Sequence, residues 1–173
     1  FDGTFPGRMP EPTAEGLAPL SKKVVETGAA FGVAHDGDAD RAIFVDEHGT
    51  FMDGNIPLGL VASYFCRRHP GGIVVTPVST SGVVEAVAES HGCTTTYTVV
   101  GSIYAARTMR NLMEEGKPVI IGGEGNGGII YPAHQFCRDG GMSAATMLSL
   151  IAERKMPLSS LIAELPVFPM YQD

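Results

Sequence analysis

The run His35-Asp36-Gly37-Asp38-Ala39-Asp40-Arg41 places three carboxylates at alternate positions and a guanidinium directly after them, between two apolar stretches at 29–34 and 42–45. Three aspartates this close repel one another in a folded loop unless a cation neutralises them, so the segment is expected to be a metal loop between two short strands. Side chains two residues apart point the same way in an extended or tightly turned backbone, which lets Asp36, Asp38 and Asp40 converge on one ion. Oxygen-only donors are hard ligands and favour magnesium, calcium or manganese over zinc or copper. Arg41 cannot ligate a cation, but its permanently charged fork suits a phosphate held beside one. A metal with an arginine next to it points to phosphoryl chemistry.

Two other readings of these residues are weaker. A solvated acidic turn would need no strand-like flanks and no adjacent arginine. The spacing of Asp36, Asp38 and Asp40 with Glu47 at the twelfth position mimics an EF-hand calcium loop. That loop needs glycine at its sixth position, where this chain has Arg41, and a helix after it, where this chain has a β-branched, strand-like run.

The second informative stretch is Gly122-Gly123-Glu124-Gly125-Asn126-Gly127-Gly128. Five glycines around one carboxylate and one carboxamide expose backbone groups and let a ligand approach closely. Glu124 accepts hydrogen bonds while Asn126 donates and accepts, a pairing suited to vicinal sugar hydroxyls. The same residues also fit a plain glycine-rich hairpin between Ile121 and Ile129. Thr76 to Gly82 could offer helix amides to an anion, although capping explains its hydroxyls as well. Asp139 reads as a helix cap. The five histidines show no ligand spacing, and neither a G-x-S-x-G elbow nor a Walker A loop is present.

A net charge of −7 disfavours nucleic acid and anionic membranes as partners. Cys66, Cys93 and Cys137 are odd in number and lack a CxxC pair, which argues against a disulfide framework and for a reduced, cytoplasmic setting. No stretch approaches the roughly 18 uninterrupted apolar residues of a membrane span.

Prolines and glycines make residues 1–12 an extended lead-in. A helix is expected from Thr13 to Thr27, capped by Thr13 and ended by Gly28, then a strand at 29–34, the acidic loop, and a strand at 42–45 turned by 46–49 into 50–52. An apolar helix at 56–67 precedes the break at 68–72, where a boundary divides units 1–69 and 70–173. From Ile73, strands alternate with helices, which implies right-handed crossovers and a mainly parallel or mixed sheet. The fold class is α/β, as two consecutive α/β/α units. The closing segment 167–173 reads as a strand or linker leaving a domain, and the ends together suggest a piece of something longer.

With these residues in view, the chain resembles the α-D-phosphohexomutase family, the phosphomannomutase/phosphoglucomutase kind. Phe5-Pro6 with Pro10-Glu11-Pro12 looks like that family's FP…PxP opening of its second domain. Asp36 to Arg41 looks like its DGDxDR metal loop, and Gly123 to Gly128 like its sugar loop; Val100-Gly101 and Arg138-Asp139-Gly140 fit its third domain. The resemblance implies most of the second and all of the third of four domains. The first, with the serine that carries the phosphoryl group, and the fourth, which grips the substrate phosphate, are not represented. It further implies reversible phosphoryl transfer between the 1- and 6-hydroxyls of a hexose through a bisphosphorylated sugar, by a chain inactive alone. Asp36, Asp38 and Asp40 would hold Mg²⁺, Arg41 would steady the phosphate, and Gly123, Glu124, Asn126 and Gly127 would bind the phosphosugar. Gly128 stands where many members have histidine, so no acid/base is assigned there. A phosphoglucosamine mutase is the alternative within the family, and a non-catalytic calcium- or sugar-binding module the alternative outside it.

Overall fold

A computed structural model of the chain describes residues 3–168. The expected exit strand or linker lies partly at 169–173, outside the described residues. The first unit is a helix on a hairpin. Helix α1 (Ala18–Thr27) starts five residues later than Thr13 because Pro19 lacks an N–H and can sit only in a first turn. The Thr13 hydroxyl instead accepts from Gly16 N at 3.1 Å, closing the turn that precedes the helix. Gly28 ends α1 in the left-handed conformation, as expected. Strands β1 (Gly32–His35) and β2 (Ala42–Val45) pair antiparallel, with His35 opposite Ala42, so the acidic loop is the connection of a hairpin. Buried Asp46 shapes the next turn by accepting from His48 N at 2.9 Å and Thr50 N at 2.8 Å.

The second unit has three layers. Its elements are α2 (Asn55–Cys66), β3 (Ile73–Pro77), α3 (Val83–Ser90), β4 (Thr94–Thr98), α4 (Ser102–Glu114), β5 (Val119–Gly123), β6 (Ile129–Ile130), α5 (Gly140–Arg154) and α6 (Leu158–Ala163). The sheet order is β4-β3-β5-β6, with β3 parallel to β4 and β5 and the short β6 antiparallel to β5. Adjacent residues on these strands serve opposite faces: Val74 and Ile129 pack with α2 and α3, while Val75 and Ile130 pack with α4. Burial on both faces is why β3 opens on three apolar residues in succession, Ile73, Val74 and Val75. Threonine-rich β4 forms an edge.

Helix α2 lies where the two units meet. Leu58, Val61 and Ala62 join the core under the second sheet, whereas Leu60 joins a separate core with Phe44 of β2, Met147 and Leu150 of α5, and Leu158 and Leu161 of α6. A helix buried on both sides carries no polar stripe, so nothing in its pattern ties it to one unit. Packing therefore sets α2 between the second sheet and the first hairpin, in contact with both cores. Across the junction, Glu47 accepts from Ser159 N at 3.2 Å and from the Ser159 hydroxyl.

Burial works against the charge on Glu47, but the donors of Ser159 and backbone amides hold its carboxyl below the ordinary 4.5. A depressed carboxyl contributes stability that is present above the unfolded value and lost as pH falls through the folded one. Urea unfolding between about pH 5 and pH 3 will therefore show a shallower acid loss in Glu47→Gln than in the unmodified protein. In the core, Ile121→Ala will lower the unfolding free energy by about 2–5 kcal/mol, since Ile121 is fully buried.

Candidate active site

Hairpin closure brings the three aspartates together. Asp36, Asp38 and Asp40 each offer a carboxylate oxygen, all within 4.8 Å of one another. Ala39 takes a left-handed φ of 62°, which bends the backbone so that the carboxylates converge. Asp36 Oδ1 accepts from Arg41 N at 3.1 Å and Oδ2 from Arg41 Nε at 2.5 Å. Burial pushes the Asp36 carboxyl up, and the hydrogen bonds and charge of Arg41 more than offset it, leaving the group below its usual range. Asp38 is exposed. Asp40 Oδ1 is buried with no hydrogen-bond partner among the described residues, beside two further carboxylates. An orphaned acceptor in an all-oxygen cluster fits a hard divalent ion. Glu47, the twelfth position of the EF-hand reading, is turned to Ser159, and a strand follows the loop.

Arg41 is more committed than its expected phosphate role implies. While Nε holds Asp36, Nη1 and Nη2 grip Glu11 at 2.7 and 2.6 Å, a bidentate pair of the kind that also binds phosphate. Glu11 lies in the Pro-Glu-Pro segment and was not singled out as a site residue. Its stiff proline flanks were the available signal.

The glycine-rich loop docks directly against the acidic one. Gly127 O accepts from Ala42 N at 3.1 Å, and a Cβ on Gly127 would stand 2.8 Å from Ala42 O, at a φ of 91° that already favours glycine. Glu124 is buried, and its N–H donates to Gly128 O at 2.8 Å. Asn126 Oδ1 accepts from Gly128 N at 3.1 Å and closes the turn, so the amide's donor end is the part left to offer a ligand. Thr76 connects to Gly123 O at 2.8 Å and Thr80 Oγ1 at 2.6 Å, tying the 76–82 turn to this loop.

Glu124, Gly125 and Asn126 line a polar pocket of about 220 Å³ with Asp53, Asn55, Ser79 and Val100. Asp53 and Asn55 escaped the sequence reading because they precede an apolar helix and look like caps. Asn55 is buried, donating to Asp53 Oδ1 at 2.7 Å and accepting from Ser81 N at 2.9 Å. A larger cleft of about 600 Å³ beside α2, α3 and α5 includes none of the expected residues.

One side chain spans both loops. Arg138 donates through Nε to Asp40 Oδ2 at 2.8 Å, with Nη2 at 2.6 Å from the same oxygen, and through Nη1 to Glu124 Oε2 at 3.3 Å. It is 98 residues from Asp40, so no local pattern could have exposed the contact. Asp139 is the α5 cap expected of it, accepting from Met142 N at 2.8 Å.

These features define a pair of packed α/β units with an acidic metal-type loop and a polar glycine-rich pocket side by side. Comparison with known proteins gives the family. Residues 53–168 match the family model for phosphoglucomutase/phosphomannomutase alpha/beta/alpha domain III, and residues 1–49 that for domain II. The chain belongs to the phosphoglucomutase/phosphomannomutase family. It is 41% identical over 171 residues to a phosphoglucomutase/phosphomannomutase of Thermococcus kodakarensis, covering 99% of this chain and 36% of that one. It is 37% identical over 170 residues to a phosphoglucosamine/phosphogalactosamine mutase of Sulfurisphaera tokodaii, covering 97% and 36%. The crystal structure of a phosphoglucomutase/phosphomannomutase family protein from Burkholderia thailandensis superimposes with a TM-score of 0.82 at 27% identity, covering 96% of this chain and 36% of that one. The chain thus spans just over a third of the length of these relatives. No helix among the described residues is long and apolar enough to cross a membrane.

Asp38 is the exposed member of the acidic cluster, so its substitution tests the loop without disturbing the core. Asp38→Asn will weaken Mn²⁺ binding by about tenfold or more, read by electron paramagnetic resonance. Its unfolding free energy will stay within about 0.5 kcal/mol of the unmodified protein.

Proposed function

We propose that this chain supplies the metal-binding and sugar-binding surfaces of a phosphohexomutase, which moves a phosphoryl group reversibly between the 1- and 6-hydroxyls of a hexose through a bisphosphorylated sugar. The observation that carries the reading is the reach of Arg138 from Asp40 to Glu124, which sets the acidic loop and the glycine-rich loop one guanidinium apart. Asp36, Asp38 and Asp40 would hold Mg²⁺, which when bound neutralises charge on the transferring phosphoryl group as a Lewis acid. Arg41 steadies that phosphate once Glu11 yields its fork. Glu124 accepts from sugar hydroxyls and Asn126 donates to the sugar, while Gly123 and Gly127 keep the backbone close. Positioning in the polar pocket does most of the work.

In this reading the serine that carries the phosphoryl group and the loop that grips the far phosphate belong to further domains, and residues 1–173 alone do not turn over. The substrate is a mannose or glucose phosphate in a cytoplasmic setting. Glucosamine phosphate is the second reading, favoured by the activity named for the Sulfurisphaera tokodaii relative.

The test is a coupled assay of the full-length protein containing this chain, with glucose, mannose and glucosamine 1-phosphates offered separately. Turnover of at least one, abolished by chelation and restored by Mg²⁺, is expected. Glu124→Gln will lower kcat/KM by about tenfold or more by weakening the acceptor to the sugar. Turnover unaffected by chelation, or none with any hexose phosphate, overturns the proposal.

A further inference from the structure

Arg138 is fixed before its side chain begins. Its backbone bridges to Ile130, the next residue donates from N to Ile129 O at 2.9 Å, and that same residue caps α5. The aliphatic stem then runs across Gly128, where a Cβ would lie 2.2 Å from Arg138 Cδ. Glycine at 128 is thus required by the passage of this side chain, not by the turn. The guanidinium takes one oxygen of each of two carboxylates that belong to different loops: Oδ2 of Asp40 and Oε2 of Glu124. The other oxygen of Asp40 is buried and unpartnered among the described residues.

Two effects with opposite signs follow. A positive charge in contact with Asp40 subtracts from the pull of the acidic loop on a dication. The same fork anchors the buried Glu124 carboxylate, which otherwise has to find its orientation afresh for each sugar. We infer that Arg138 is a positioning residue that holds Glu124 for the sugar while loosening the grip of the acidic loop on its divalent ion. The inference rests on the metal- and sugar-binding reading of the two loops given above. Ion affinity is thereby traded for alignment of the sugar, and both quantities are set from one side chain.

The test measures two affinities in the full-length protein: Mn²⁺ by electron paramagnetic resonance, and a hexose phosphate by calorimetry. Arg138→Gln is expected to tighten Mn²⁺ about fivefold and to weaken the hexose phosphate about fivefold. Arg138→Lys keeps the charge but not the fork, so Mn²⁺ affinity stays within about twofold while hexose phosphate binding still weakens about fivefold. Damage to the fold lowers both affinities together and cannot produce this split. Weaker or unchanged Mn²⁺ binding in Arg138→Gln overturns the inference even where the unmodified protein turns over hexose phosphates. Should Arg138→Gln not fold, equal weakening of both ligands in Arg138→Lys overturns it, and the split supports it. If the unmodified protein binds Mn²⁺ but no hexose phosphate, the mutase reading fails and takes this inference with it.

Discussion

Crowded negative charge governs this molecule. Glu11 and Asp36 hold the guanidinium of Arg41, Asp40 and Glu124 hold that of Arg138, and Asp38 stands among them, which leaves the assembly with five anionic groups against two cationic ones. Each arginine is shared between carboxylates from segments far apart in sequence, so each pins a loop and balances charge at once. Asp38 has neither arginine and stays exposed. The surplus charge is the physical reason for expecting a dication here, and it needs no resemblance to state.

Close backbone contact makes this balance possible. Gly54 and Gly125 approach so nearly that a Cβ on the first would lie 2.3 Å from the carbonyl oxygen of the second. Gly140, at the start of α5, leaves no room for a side chain beside Ala39 O, His35 Nδ1 and Arg41 O. Glycine is used at these positions for proximity, and only at Gly127 for conformation as well. The positive end of α5 is thereby set against the acidic loop.

How much of this was visible in the sequence follows from the range of each interaction. The acidic loop and the glycine-rich loop are local, so spacing and residue type revealed both, and the alternation of strands and helices expected from Ile73 is the order the second unit shows. The start of α1 was misplaced because Thr13 has the chemistry of a cap, while the missing N–H of Pro19 does not allow the helix to reach back to it. The two-sided packing of α2 was not legible, because a helix buried on both sides carries no polar stripe to mark its neighbours. Arg138 was unreadable as a partner of the acidic loop, since nothing near it encodes a contact 98 residues away, and the proline flanks of Glu11 marked a stiff segment without naming its partner 30 residues on. The family resemblance placed Arg138 in the third domain and gave it no task.

The core shared by Phe44, Leu60, Met147, Leu150, Leu158 and Leu161 fuses the two units. Swinging the hairpin away from α2 and α5 would open an apolar seam to water, at a cost set by the burial of these side chains. The joint is therefore a weld and not a hinge. The acidic loop and the glycine-rich loop are thus carried on one body, and whatever touches both meets them at a set spacing.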